Sequence, residues 1–204
     1  LNLDPESTVI LRPNSKDLPF PGGRKKYNKE KGNLFTVSNL DDLGMYIEKI
    51  NGGKKIKTIV VEDFSHLLGQ RVLADMHLKG FDKWNKLAFD AFHSVIGIEK
   101  DLREDLYIVL IAHTEIMMND DGEKETFMIT PGKLLDRLIK IPSYFTYILH
   151  TNVVMRDEKI NYSFLTNQDG SGREAKSPEG CLELLEDNDY AHIISKIEAY
   201  QNSA

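Results

Sequence analysis

Lys57-Thr-Ile-Val-Val-Glu-Asp-Phe64 is the stretch that decides the fold. Ile59, Val60 and Val61 are apolar and β-branched without alternation, the pattern of a strand buried on both faces of a parallel sheet. Two carboxylates, Glu62 and Asp63, follow at once. Ligands of open α/β sheets bind beyond the carboxyl ends of the strands, so acids placed there face a crevice. Upstream, Ser38 to Ile50 predicts a helix: Ser38 or Asn39 caps it, Asp41 and Asp42 occupy its first turn, and Leu40, Leu43, Ile47 and Ile50 line one face. Asn51-Gly52-Gly53 ends that helix, and the run from helix through turn to strand is a βαβ-type half unit. Downstream, Phe64 to Lys79 and Asp82 to Lys100 read as helices, the second with Trp84, Leu87, Ala88, Ala91, Phe92 and Val95 at core-packing spacing. Leu106 to Ala112 is a second continuous apolar run, ending in His113, Thr114 and Glu115. The expected fold class is therefore α/β with a mainly parallel central sheet.

Farther out, Ser7 to Leu11 is a short candidate strand stopped by Pro13, and Leu34 to Val37 returns as another. After Glu115 the texture turns antiparallel. Asp120-Asp121-Gly122-Glu123 is a turn into Thr126 to Thr130, and Pro131-Gly132 opens a short helix through Lys140. Tyr144 to Met155 and Lys159 to Thr166 pair as a hairpin around Arg156-Asp157-Glu158. Asp187 to Tyr200 closes the chain as an amphipathic helix. The length, 204 residues, suits one domain over 1–204 with its own core. A net charge of −6 means that any nucleic-acid contact must come from a local patch. Cys181 is the one cysteine, which excludes an internal disulfide and fits a reducing cytosol. No apolar run has the length of a membrane span, so the expected location is cytoplasmic.

The segment 14–33 supplies a candidate patch. Pro19, Pro21, Gly22, Gly23 and Gly32 predict an exposed loop. It carries Lys16, Arg24, Lys25, Lys26, Lys29 and Lys31 against Asp17 and Glu30, interleaved with Phe20 and Tyr27. That mixture suits phosphate contact and base stacking on single-stranded DNA; the alternative is a solvated basic loop. Asn167 to Gly180 is a second polar loop, containing Arg173 and Lys176.

The acids after the first strand have the layout of a Walker B segment, in which one carboxylate holds Mg²⁺ and a neighbour orients the attacking water. The alternative is a strand end that caps the next helix. His113 would sense a γ-phosphate or position water, or else cap a helix as a hydrogen-bonded histidine. The six histidines lack metal-site spacing, and G-x-S-x-G is absent. A nuclease built on Glu62, Asp63, Glu115 and Mg²⁺ is chemically possible. The phosphate-loop pattern G-x-x-x-x-G-K-[ST] occurs nowhere: Gly132-Lys133 is followed by Leu134, and Gly53-Lys54 by Lys55.

Seven segments in order, Leu3-Asp4-Pro5, Leu18-Pro19-Phe20, Thr58 to Phe64, Lys79-Gly-Phe-Asp-Lys83, His113-Thr114-Glu115, Gly132 to Asp136 and Ala175-Lys176-Ser177-Pro178, resemble the phage-encoded RecA-like AAA ATPases. That group includes ATPases associated with single-strand annealing and recombination. The resemblance implies a RecA-like three-layer core, ATP and Mg²⁺ as cofactors, and a homo-oligomeric ring or filament. It also implies a phosphate-loop strand and helix of roughly 30 residues upstream, with Leu1 to Pro5 ending that helix. Glu62 falls at the family's Walker B position, usually Asp, with Asp63 the second acid. His113 matches the residue after the sensor strand. Arg173 and Lys176 lie where such proteins can place cations that reach a neighbouring subunit's nucleotide, and of the two Lys176 alone lies in a matched segment. The alternative implied function is a non-catalytic nucleic-acid-binding or assembly module that kept this core.

Overall fold

A computed structural model describes residues 2–97, 101–118, 121–132 and 134–203. The chain forms two compact units: Asp4–His113 with Met128–Ile141, and Leu1–Leu3 with Thr114–Phe127 and Pro142–Ala204.

The first unit is a four-stranded sheet flanked by helices. Its elements are β1 (Thr8–Arg12), α1 (Gly23–Lys26), β2 (Leu34–Thr36), α2 (Leu40–Asn51), β3 (Thr58–Val61), α3 (Phe64–Ala74), α4 (Asp82–Ala91) and β4 (Tyr107–Leu110). The strand order is β2-β1-β3-β4 and every pairing is parallel. This is the mixed α/β, Rossmann-like arrangement that the buried apolar runs predict. Ile59, Val60 and Val61 are buried, as are Val9, Ile10 and Leu11 of the neighbouring strand. Asn39 caps α2 by accepting the Asp42 N–H at 2.8 Å, and Leu40, Leu43 and Ile47 are buried along its inner face. In α3, Phe64, Leu67 and Leu68 follow the i, i+3, i+4 rule and are fully buried. Each such side chain contributes about 1.5–3 kcal/mol of burial.

Three expectations are corrected within this unit. The predicted helix to Lys100 is α4 followed by a π turn over Phe92–Ile96, and its last residues lie outside the described set. Lys133 also lies outside it, and the helix expected to Lys140 is a π-helix over Leu134–Ile139. The basic loop is largely exposed, as expected, and departs from the expectation at one aromatic side chain. Tyr27 is completely buried, hydrogen-bonded to the Thr8 side chain and edge-on to Phe20 at 6.0 Å. Burying an aromatic ring with its hydroxyl satisfied outweighs leaving it exposed, so Tyr27 anchors the loop and is not available to stack on bases.

The second unit contains β5 (Thr114–Met118), β6 (Lys124–Met128), β7 (His150–Arg156), β8 (Lys159–Leu165), β9 (Leu185–Asp187) and α5 (Tyr190–Gln201). The last residue of β6, Met128, belongs to the first unit. β5 and β6 form a two-stranded sheet, and β7-β8-β9 an antiparallel one. The hairpin forms, but its first strand begins at His150 and not at Tyr144, which ends a 3-10 helix over Ile141–Tyr144; it is closed by Asp157 and Glu158, both with positive φ (50° and 60°), as a two-residue turn of the twist-matched kind requires. α5 seats Ile193 and Ile197 in the core, and Tyr190 packs on Phe164 at 5.1 Å. Buried Glu186 of β9 ties sheet to helix: its carboxylate accepts from Lys196 Nζ at 2.6 Å and from the Glu183 N–H at 2.8 Å. Among the described residues no helix is long and apolar enough to cross a membrane.

Candidate functional site

The carboxyl ends of β1, β3 and β4 are stitched into one edge by backbone hydrogen bonds. Glu62 N–H donates to Leu11 C=O at 2.8 Å, Ile111 N–H to Val61 C=O at 2.9 Å, and Phe64 N–H to Ile111 C=O at 2.8 Å. Two residues beyond Ile111, His113 N–H donates to Ser65 Oγ at 3.1 Å. The last of these contacts fasten the first turn of α3 to the segment leaving β4, which brings Asp63 and His113 together.

Asp63 is the residue at which strand becomes helix, and it sits in the left-handed region at φ 55° and ψ 51°. A non-glycine residue held there costs roughly 1–3 kcal/mol, and such strain concentrates at functional sites. Its side chain does not cap α3. Instead Oδ1 lies 3.3 Å from His113 Nε2, and Oδ1 is buried and accepts no hydrogen bond from any described residue. The imidazole is 69% exposed and the carboxylate 19%, so the histidine is the outer member of the pair.

Glu62 has different company. The parallel register pairs Leu11 with Val61, and continuing it places Arg12 beside Glu62. Burial pushes the Glu62 carboxyl above its ordinary value, Arg12 and Lys16 hold it down, and the Asp63 carboxylate adds to the rise; burial wins. Arg12 donates through Nη1 to the Lys16 carbonyl, while its Nε is buried without an acceptor among the described residues. Arg12 is the site residue that the sequence reading passed over. Its signal is the register, which joins positions 50 apart in the chain and is invisible until the strands are paired.

Other expected residues are placed elsewhere. Thr114 and Glu115 leave the strand end and enter β5 of the second unit, whose five residues are all exposed. Among the described residues no three His, Cys, Asp or Glu side chains converge as a metal cage.

In the basic loop, Arg24 is paired with Asp17, and Lys31 Nζ donates to the Lys25 carbonyl at 2.6 Å. Lys25, Lys26 and Lys29 are exposed. Asn33 Nδ2 bridges the carbonyls of Lys26 at 2.9 Å and Pro5 at 3.0 Å, which holds this cluster at the start of β1. The beginning of the same loop, at Lys16, stays beside Arg12 and Glu62 at the other end of β1.

In the second unit Arg173 is consumed internally. It donates to Asp169 Oδ2 at 2.7 Å, Asn152 Oδ1 at 2.8 Å and Ser171 Oγ at 2.8 Å. Asp169 is correspondingly held down at about 2, mainly by its hydrogen bonds from Ser171. Lys176 is exposed, fixed through its backbone to Ile148 at 2.7 and 2.9 Å.

No protein-family model matches the chain, and no curated protein matches its sequence.

Proposed function

We propose that this chain is the core of a RecA-like ATPase acting on single-stranded DNA, with its nucleotide crevice beyond β3. The observation that carries the reading is the Asp63–His113 pair, 3.3 Å apart at the carboxyl edge of an all-parallel sheet with Glu62 beside it. Mg²⁺ is commonly held by one or two carboxylates, with phosphate and water completing its octahedron, so the small donor set fits that ion. Asp63 Oδ1 offers lone pairs that no described donor uses. When bound, Mg²⁺ would neutralise charge on the β- and γ-phosphates. Asp63 and Glu62 then hold the ion and orient water, and exposed His113 reports on the phosphate through Asp63.

The outer edge of β4 supports the same reading. Tyr107 and Ile111 donate to Lys57 and Val61 at 2.8 and 2.9 Å, so the alternate residues Ile108 and Leu110 turn their amides away from β3. β4 is the last strand of the described sheet, and its apolar Tyr-Ile-Val-Leu side chains are only half-buried. A further parallel strand carrying a phosphate loop, a pattern these 204 residues lack, would find its place there. In a ring or filament, Lys176 is the cation left to reach a neighbour's nucleotide, since Arg173 would first have to give up its internal hydrogen bonds.

The missing phosphate loop favours a second reading, a nucleotide-free binding or assembly module on the same core. ATP turnover of the complete encoded protein, with and without Glu62→Ala/Asp63→Ala, separates the two. The proposal expects turnover in the unmodified protein and its loss in the variant, with an unchanged far-ultraviolet spectrum. Equal turnover in both removes the acids from the mechanism. Absence of both turnover and nucleotide binding in the unmodified protein selects the second reading.

A further inference from the structure

The β7–β8 hairpin has its polar face engaged and its apolar face bare. Residues directly opposite in an antiparallel pair share a face, and the register sets Val153 against Tyr162 and Met155 against Ile160. These four side chains therefore lie on one face, and each is between 56% and 75% exposed. The next pair along that face, Thr151 and Phe164, leads into the core, where Phe164 is buried against Tyr190 of α5. On the opposite face Asn152 Nδ2 donates to Ser163 Oγ at 3.1 Å, and Arg173 Nη1 donates to Asn152 Oδ1 at 2.8 Å. An antiparallel sheet ordinarily turns its apolar face inward and its polar face to water. Here the arrangement is reversed. The outer half of the hairpin also lacks a third strand among the described residues, because β9 pairs only with Ser163, Phe164 and Leu165. A two-stranded ribbon is marginal in water unless its apolar face packs on something.

The chemistry of the patch narrows what covers it. None of the six side chains on this face, Thr151, Val153, Met155, Ile160, Tyr162 and Phe164, is charged, so nucleic acid would find no cation there for its phosphates. The tip, Arg156-Asp157-Glu158-Lys159, sums to zero charge and offers an anionic lipid surface no attraction. What the face does match is itself. The two longer side chains, Met155 and Tyr162, stand at diagonal corners of the four, with β-branched Val153 and Ile160 at the other two. Two such faces can meet about a two-fold axis lying between the sheets. An axis along the strands seats the partner's Tyr162 on Val153 and the partner's Ile160 on Met155. An axis across them seats the partner's Met155 on Val153 and the partner's Ile160 on Tyr162. In both cases each long side chain meets a β-branched one, which is how facing layers interdigitate.

We propose that this face of the β7–β8 hairpin is a two-fold docking surface for a second copy of the chain. The four side chains make a bare patch on the order of 400 Å², the size that marks an interaction site. Counted on both copies and with the rim at Thr151 and the turn, the contact reaches about 1,000 Å², the lower limit of specific interfaces, so the dimer is a weak one in the micromolar range. It stands independently of the ATPase reading. It also closes at two chains, unlike the head-to-tail contacts that build a ring or filament.

The test is sedimentation velocity of the 204-residue chain from roughly 1 to 200 μM, a range that brackets a micromolar Kd. The expectation is a reversible monomer–dimer equilibrium that saturates at two chains. Added salt should not weaken it, because the face is uncharged and each chain carries a net −6 that salt screens. Met155→Lys and, separately, Ile160→Lys should each weaken association roughly tenfold or more by burying an unpaired ammonium. Their far-ultraviolet spectra should match the parent's, since both side chains are exposed in the single chain. Asn161→Lys, on the opposite face, should leave the dimer intact. A monomer throughout the range, or growth past two chains, overturns the proposal. So does a dimer that both apolar-face variants leave untouched, one that Asn161→Lys disrupts equally, or one that salt dissolves.

Discussion

Arg71 lies between two buried carboxylates, and replacing it by Met keeps the aliphatic bulk while deleting the charge. Its side chain is 13% exposed, and those of Asp75 and Asp90 are 9% and 12% exposed. Removing one partner from such a cluster costs about 3–5 kcal/mol, because the remaining charges stay buried without compensation. For a chain of this size 1 kcal/mol moves the thermal midpoint by about 2–4 °C, so Arg71→Met should melt roughly 6–20 °C lower. The pH dependence identifies the cause. Burial already pushes the Asp90 carboxyl above its ordinary value and Arg71 is the main force holding it back, so in the variant it climbs further. A native state that keeps a proton the unfolded chain releases gains stability as pH falls and loses it as pH rises. The deficit should be largest at pH 7 and shrink toward pH 4. Trp84 sits on α4 with Asp90, so its fluorescence follows the right unit in urea or heat. A deficit that is equal at pH 4 and pH 7 would show that packing and not charge was lost, and a change below about 1 kcal/mol would refute the buried-cluster account.

Two further outcomes follow from the same coordinates. Glu62→Gln should stabilise the protein at neutral pH: the Glu62 carboxyl is raised above 4.5, so its ionised form costs stability as pH rises through the raised value, and the two proteins should converge below pH 4.5 in thermal melts. Gly172→Ala should release the loop over residues 167–176, since a Cβ there would stand 1.9 Å from the Lys124 carbonyl oxygen and the residue has φ +75°. Limited trypsin digestion should then cut after Arg173 or Lys176 much faster than in the parent, and an unchanged cleavage rate would mean that the close approach to β6 does not hold the loop.

The parallel sheet was legible because burial on both faces writes itself as an unbroken β-branched run in Ile59 to Val61, and a second apolar run, Ile108 to Leu110, forms the half-buried strand beside it. The helix over Leu40–Asn51 was legible because its cap, its acids and its apolar face agree. What escaped depends on tertiary partners. Tyr27 looks like any aromatic in a Gly- and Lys-rich loop, and its buried position is set by Thr8 and Phe20. β9 is three residues long with a single buried side chain, Glu186, too short for any period to register. Thr114 and Glu115 read as the polar tip of a buried strand, whereas the chain passes into the other unit directly after His113.

The crevice acids differ by their neighbours more than by their chain length. Glu62 lies beside two cations, Arg12 and Lys16, that already offset its charge, and its carboxyl is still pushed upward by burial. Asp63 has an imidazole at 3.3 Å and an oxygen that no described donor satisfies. In the ATPase we propose, a cation therefore gains more from Asp63, whose Oδ1 accepts no hydrogen bond among the described residues, than from Glu62, which already lies beside Arg12 and Lys16. A carboxyl lifted toward neutrality by burial is better suited to holding and accepting a proton from water. The usual division, first acid for metal and second for water, would then run in reverse here, and the cause is the parallel register that puts an arginine next to the first acid.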